Sequence, residues 1–146
     1  MASKLKSKWK RAQKKSKYID RWAETMTKHG IGRKTKKGNQ WRFLNFRGEK
    51  GGESAGIIDL VAIRRRHYKY QKYSDKLDII LIQVKGSAKN PKYPKASETR
   101  RLRSAAKSCN AKKAVLVRYT YKKSQEFYYL GQRNKWKKST RLKIFG

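Results

Sequence analysis

Three polar side chains interrupt two apolar segments near the middle of the chain. Asp59 follows a pair of isoleucines, whereas Gln83 and Lys85 come directly after the apolar run at 79–82. Burial of a carboxylate is costly unless the group is paired or bound to a metal ion. Because the chain has only 9 acidic residues among its 146, Asp59 is the first candidate for chemistry.

Side-chain alternation places Gln83 and Lys85 on one face of a strand. We expect the segments 57–66 and 77–85 to pair as an antiparallel hairpin about the midpoint of their connection. In that register Asp59 lies opposite Gln83. All three polar groups then meet on one face of the sheet.

These three groups suit metal-dependent hydrolysis of a phosphodiester. A carboxylate oxygen of Asp59, the amide oxygen of Gln83 and the backbone carbonyl of Val84 are ligands that Mg²⁺ accepts, with Mn²⁺ as a substitute. Lys85, beside the ion, would orient or help to deprotonate a water molecule and stabilise negative charge on the phosphate. The alternative is a structural ion pair between Asp59 and Lys85, with Gln83 hydrogen bonded to the backbone.

The neighbouring segments predict an α/β domain with a single mixed central sheet flanked by helices. Apolar residues at helical spacing indicate a helix over 18–29, and a basic helix over 97–109 follows a loop with two prolines. Alternating or continuous apolar residues predict strands at 40–47, 57–66, 77–85, 113–121 and 125–130. The order is helix, three strands, helix, two strands.

Both ends of the chain are strongly basic. Residues 1–17 contain eight Lys or Arg and residues 131–146 contain six, and neither segment contains an acid. Such charge runs are typical of extensions that contact a polyanion. We therefore expect a flexible basic arm at 1–17, a domain at 18–130 and a basic tail at 131–146.

The charge balance identifies the class of partner. The chain carries 42 Lys and Arg against 9 Asp and Glu, a formal net charge of +33. Self-repulsion of this size opposes compaction, and a polyanion relieves it. We therefore expect nucleic acid, most simply DNA, as the partner.

The sequence has no feature that favours a membrane or an oxidising compartment. The longest apolar run falls far short of the roughly 20 residues that cross a bilayer, and no apolar leader precedes the basic segment. Cys109 is the only cysteine, which excludes an intramolecular disulfide and argues against a zinc site built on cysteines. A cytoplasmic or nucleoid-associated protein is the expectation.

Two short motifs carry a family resemblance, ESAGIIDLVAI at 53–63 and LIQVKG at 81–86. On these motifs the sequence resembles the PD-(D/E)XK nuclease superfamily, most of all its branch of archaeal-type Holliday junction resolvases. In that resemblance Asp59 matches the metal-binding aspartate, Gln83 the acidic position and Lys85 the lysine. It implies a restriction-endonuclease-like fold of order αβββαββ over 18–130 and a Mg²⁺-dependent endonuclease acting on DNA, including branched DNA. It also implies a homodimer, since such resolvases cut two-fold symmetric junctions.

Two features around the motif differ from, or extend, the family pattern. Gln83 is an amide where the commonest motif has a carboxylate, so the metal site has one negative charge fewer. The family often supplies a further acid from its first helix, for which Glu24 and Glu53 are both candidates. Ser54 and Gly56 match a turn that precedes the aspartate, and we expect them to contact the nucleic acid.

Further backbone contacts are expected from two clusters of arginines. Lys and Arg bind phosphates without reading sequence, so binding should be strongly salt dependent. The clusters lie at the end of the first hairpin strand and on the second helix, and consist of Arg64, Arg65, Arg66, Arg100, Arg101 and Arg103.

Two other functions account for part of the sequence. A non-catalytic nucleic-acid-binding protein on the same fold, such as a ribonucleoprotein component, would explain Gln83 and the basic ends. An RNA-binding protein of unrelated fold would explain the charge but not the alignment of Asp59, Gln83 and Lys85.

Overall fold

The computed structural model describes residues 2–32, 40–46, 57–66 and 75–146. Within these ranges the strands are β1 Arg42–Asn45, β2 Leu60–Arg65, β3 Leu77–Ser87, β4 Lys113–Thr120, β5 Ser124–Leu130 and β6 Trp136–Ser139. The helices are α1 Ala2–Gly32, α2 Ala96–Ser108 and α3 Arg141–Phe145, with a 3-10 turn at Gln132–Asn134.

One mixed sheet contains these strands, in the order β1-β2-β3-β4-β5-β6. The β3–β4 pair is parallel and the other pairs are antiparallel. Parallel neighbours need a long crossover, which α2 supplies. The predicted α/β class and the order αβββαββ are confirmed, and so is the hairpin register, because Leu60 pairs with Ile82.

The central strands are covered on both faces, which explains the apolar run in β3. On one face Ile80 and Ile82 pack in a cluster with Ile31 of α1 and with residues of α3. On the other face Leu81 packs with Leu102 of α2. A strand buried on both sides reads as continuous hydrophobic sequence instead of an alternating pattern.

The first helix is longer than predicted. It begins at Ala2, so residues 2–17, expected to be a flexible arm, continue the helix that was predicted only from residue 18. The segment has no glycine or proline, and seven of its sixteen residues are Lys, which favours helix. Residues 3–18 are exposed, and we call residues 2–17 the projecting segment. Among the residues described, no helix combines the length and apolar character needed to span a membrane.

The face of α1 that packs on the sheet is also narrower than predicted. Ile19, Ala23, Thr27 and Ile31 are buried, whereas other apolar positions of the helix stay exposed. Within the predicted span 18–29, the exposed set consists of Tyr18, Trp22 and Met26. Spacing alone groups both sets on one broad stripe, and only contact with the sheet distinguishes them.

The predicted basic tail is part of the folded domain. Strand β6 pairs with β5, and Ile144 and Phe145 of α3 are 4% and 2% exposed in the core. The Trp41 indole NH donates to the Phe145 carbonyl at 2.8 Å, and the two rings meet edge to face. The tail therefore keeps its charges in solvent while burying its few apolar side chains.

Arg64, expected to bind nucleic acid, holds this C-terminal segment instead. Its guanidinium donates to the carbonyls of Phe145 and Gly146, both at 3.1 Å, and lies 4.2 Å from the centre of the Trp41 ring. Arginine stacks on aromatic faces and bonds two acceptors at once, which suits a buried structural role. The prediction for Arg64 is corrected accordingly.

Asp78 joins the same region through charge. It is 2% exposed and lies 2.8 Å from Arg66, 3.6 Å from Arg64 and 3.7 Å from Lys112. Burial acts to raise the pKa of Asp78, but the Arg66 hydrogen bond and the three positive charges together lower it. Arg66, also expected at the nucleic-acid surface, is thus partly engaged within the protein.

Packing of α3 makes a prediction about stability. Phe145→Ala should lower the free energy of unfolding by about 3–5 kcal/mol, because it leaves a cavity beside Trp41. Leu142 is 69% exposed on the same helix, and Leu142→Ala should change stability by less than about 0.5 kcal/mol. Urea unfolding followed by circular dichroism measures both variants. Equal small effects would mean that α3 does not pack in the core.

Candidate active site

Asp59 lies where β2 and β3 stop pairing regularly. It directly precedes β2, one residue before the Leu60–Ile82 pair. Its backbone NH donates to the Ile82 carbonyl at 3.0 Å, and its carbonyl accepts from the Phe46 NH at 3.2 Å. Contacts on both sides therefore fix the backbone that carries the carboxylate.

The Asp59 side chain completes the hydrogen bonding of β3. The Val84 backbone NH donates to Asp59 Oδ2 at 2.7 Å. Because the regular ladder with β2 has ended, the carboxylate supplies an acceptor that a neighbouring strand would otherwise provide. This hydrogen bond holds the half-buried carboxylate against the segment that contains Gln83 and Lys85.

Gln83 is buried with its amide oxygen unsatisfied. The residue is 3% exposed, and its Oε1 has no hydrogen-bond partner among the described residues. A buried acceptor without a partner costs about 1–3 kcal/mol and is rare in native proteins. Gln83 directly precedes Val84, whose NH binds Asp59, so a ligand held beside this oxygen would gain an acceptor that the described residues leave unused.

Lys85 lies on the same face of β3 as Gln83, and it pairs with an acidic residue of α2. Its Nζ is 3.3 Å from Glu98 Oε1. The second oxygen of Glu98 accepts from the Lys95 backbone NH at 2.7 Å, as part of a capping box at the start of α2. Burial acts to raise the pKa of Glu98, but the Lys95 NH and the Lys85 charge lower it overall.

Sequence reasoning missed Glu98. The helix was predicted to begin at residue 97, whereas its N-cap is Lys95. An acid three residues after the N-cap is the known signal of a capping box. Glu98 fits that pattern, but a lysine at the N-cap hides it, since Ser, Thr, Asp and Asn are the usual residues there.

Helix α1 contributes the buried carboxylate of Glu24, which is 4% exposed. The helix packs on β3 at Gly86, where an added β-carbon would lie 3.2 Å from Ile19 Cγ2 and 3.3 Å from Ala23 Cβ. Only glycine permits so close an approach without displacing the helix. The last residue of the LIQVKG motif therefore sets how closely α1 lies to the end of β3.

The structure leaves part of the predicted site untested. Glu53, Ser54 and Gly56 lie outside the described residues, so the choice between Glu24 and Glu53 stays open. The Val84 carbonyl remains a predicted ligand.

The remaining basic residues divide into two groups. Arg103 of α2 donates to the Asn134 side chain and the Gly131 carbonyl, so it holds the turn before β6. Arg65, Arg100 and Arg101 are exposed, as a nucleic-acid contact requires. The exposed group remains a predicted binding surface.

The donor set fits a hard cation. The described residues include no group of three or more His, Cys, Asp or Glu placed to hold a metal ion, so a site here depends on the amide oxygen of Gln83. Carboxylate and carbonyl oxygens suit Mg²⁺ and Mn²⁺, whereas softer metals prefer sulfur or imidazole. The unsatisfied oxygen of Gln83 is consistent with such an ion.

Comparison with known proteins gives a likeness to solved structures but none to a family model. No protein-family model matches the sequence, and no curated protein matches it. Among solved structures, the chain is similar to Hjc, a Holliday junction resolvase from the archaeal hyperthermophile Archaeoglobus fulgidus, at 18% identity and a TM-score of 0.46, over 84% of this chain and 85% of that one. A likeness at this level is too weak to carry function from one protein to the other, so function has to be argued from the site.

Proposed function

We propose that the protein is a metal-dependent endonuclease that hydrolyses DNA phosphodiester bonds at the end of β3. The observation that carries the proposal is the arrangement around Val84. Its NH binds the Asp59 carboxylate at 2.7 Å, and the preceding residue, Gln83, buries an unsatisfied amide oxygen. Lys85 follows on the same face as Gln83, within a protein whose net charge of +33 attracts nucleic acid.

The protein groups have distinct roles in this proposal. Asp59 and Gln83 hold Mg²⁺ or Mn²⁺, with the Val84 carbonyl and Glu24 as further ligands. The bound ion supplies Lewis acidity to the phosphate. Glu98 holds the Lys85 ammonium at the site, where it stabilises the negative charge that develops on the phosphate oxygens.

The motif resemblance directs the choice of substrate. A four-way DNA junction is the first substrate to test, because the two motifs resemble those of resolvases. Plain duplex and single-stranded DNA are the necessary comparisons.

A second function is favoured by one observation, the neutral amide at Gln83. With one charge fewer, the site binds a divalent ion more weakly, and the protein would bind nucleic acid without cutting it. Cleavage and binding assays separate the two functions.

Loss of either charged group should abolish cleavage. Asp59→Asn and Lys85→Ala are expected to slow cleavage of the junction by roughly 10²–10⁴-fold in Mg²⁺ or Mn²⁺. The exposed residues Asp75 and Lys89 provide matched controls, since Asp75→Asn and Lys89→Ala make the same changes elsewhere. Tight binding with no cleavage by the wild type, in either metal, would support the non-catalytic function.

Metal binding can be measured without DNA. Gln83→Glu should increase affinity for Mn²⁺, because the site gains a negative charge, and Asp59→Asn should decrease it. The Gln83→Glu variant should also melt at a lower temperature than the wild type without metal, since a buried carboxylate is unfavourable, and regain stability when Mn²⁺ is added. Electron paramagnetic resonance of free Mn²⁺ measures the affinity, with exposed Gln132→Glu as the control. Equal affinities in all four proteins would remove Gln83 and Asp59 as ligands.

Glu98 should position Lys85 as well as cap α2. Glu98→Gln keeps an acceptor for the Lys95 NH but loses the charge, so it should lower kcat about tenfold with little change in KM. Its stability loss should stay under about 1 kcal/mol. Glu98→Ala loses the cap too and should cost about 1 kcal/mol more.

The pH dependence follows from the lowered pKa of Glu98. The charged form is favoured in the folded state, so its stabilisation is present above the ordinary value of 4.5 and is lost as the pH falls through the lower folded pKa. The stability difference between wild type and Glu98→Gln should therefore vanish on acidification below 4.5. If Glu98 served only to cap α2, Glu98→Gln would change stability and leave kcat unaltered.

A further inference from the structure

The projecting segment, residues 2–17, begins near the C-terminal end of β3, where the candidate active site lies. Helix α1 contacts Gly86 of β3 through Ile19, Asp20 and Ala23. The helix runs toward its N-terminus from this point with its residues exposed. At a rise of 1.5 Å per residue, Trp9 lies about 15 Å along the axis from Ile19.

The segment is positive over most of its circumference. No acid precedes Asp20. Its eight basic residues are Lys4, Lys6, Lys8, Lys10, Arg11, Lys14, Lys15 and Lys17. Pairs of like charge recur four residues apart, such as Lys6 with Lys10, and each such pair destabilises a helix.

One side of the segment is uncharged. Steps of three and four residues define a stripe that continues into the buried face of α1, formed by Leu5, Trp9, Ala12, Ser16, Ile19 and Ala23. Residues at this spacing share one face of a helix. Trp9 and Leu5 are 65% and 68% exposed. The stripe that packs on β3 therefore extends past the sheet with an exposed indole between two basic flanks.

The charge determines which partner covers this stripe. A second copy of the chain would bring eight more positive charges to the same place, which adds repulsion. A nucleic acid removes the like-charge repulsion along the helix, because each phosphate neutralises a Lys or Arg, and its bases offer flat faces to an indole.

We propose that the projecting segment clamps the nucleic acid that enters the candidate active site. Its lysines bind backbone phosphates, and Trp9 stacks on an unpaired base. This inference rests on the proposed function only in placing the substrate near Asp59. It adds the surface of the protein that the nucleic acid contacts and the way in which the two bind.

The phosphate contacts are tested by the salt dependence of duplex DNA binding. Replacing Lys6, Lys10 and Lys14 with Gln retains helix propensity and should reduce the slope of log affinity against log salt by about 2–3, near 0.9 per lost contact. A control with the same charge change carries Gln at Lys107, Lys135 and Lys137, which are exposed elsewhere. The control should lower the slope by less than about 1. Equal slopes for the two variants would overturn the clamp.

Stacking is tested with single-stranded DNA. Trp9→Ala should weaken binding about tenfold, whereas Trp22→Ala, on the exposed opposite side of the same helix, should weaken it less than twofold. Equal effects of the two substitutions would overturn the role of Trp9. Sedimentation of the free protein tests the other partner, and a dimer lost on Trp9→Ala would assign the stripe to self-association.

The outcomes also separate this inference from the nuclease. If cleavage depends on Asp59 but the salt slopes of the two lysine variants are equal, the clamp is wrong and the nuclease proposal stands. If the Lys6, Lys10 and Lys14 variant has a reduced salt slope but the wild type does not cleave DNA, the clamp stands and the nuclease proposal is wrong.

Discussion

The hydrogen bond from the Val84 NH to the Asp59 carboxylate is the contact on which the candidate site depends. The bond spans 2.7 Å at the point where β2 and β3 stop pairing. Below this point a regular ladder fixes both strands, and above it β3 continues to Ser87 beside β4. The carboxylate thus lies where one strand pair ends and holds the C-terminal end of β3, so in the proposed enzyme one group would serve both structure and chemistry.

The few acids explain how so positive a chain forms a compact sheet. Asp78 is surrounded by Arg64, Arg66 and Lys112; burial acts to raise its pKa, but the Arg66 hydrogen bond and the three positive charges together lower it. These ion pairs link β3 to the end of β2 and to the residue before β4.

Glu126 has the same function at the other side of the sheet. It binds Arg118 at 3.0 Å and Lys138 at 3.2 Å, and Arg118 donates to the Pro91 carbonyl and stacks on Tyr93. These contacts attach the loop before α2 to β4 and β5. Repulsion among the remaining cations is therefore concentrated at the surface, where a polyanion can reduce it.

The sequence predicted the order of helices and strands along the chain and the hairpin register because burial controls both. A short apolar run between turn segments is typical of a strand covered on two faces, and polar residues at its end indicate which residues lie opposite. The predictions for the two ends of the chain were wrong, because a high density of charge was taken as evidence against packing. Ile144 and Phe145 are a small part of a basic segment, yet they bury completely, and the lysines around them need only solvent. Arg64 was misplaced for a related reason, since sequence gives the charge of a side chain but not the carbonyls it will meet.

The amide at Gln83 has a different consequence in a chain of this charge than it would in a neutral protein. A net charge of +33 repels free divalent cations. A site with Gln83 in place of a carboxylate has one negative charge fewer to offset that repulsion. In the proposed nuclease, a DNA phosphate would bring negative charge to the same place and neutralise nearby lysines. Metal and substrate should therefore bind cooperatively, each improving the site for the other. In such a site the phosphate supplies the charge that Gln83 lacks, and metal held without DNA is the weaker state.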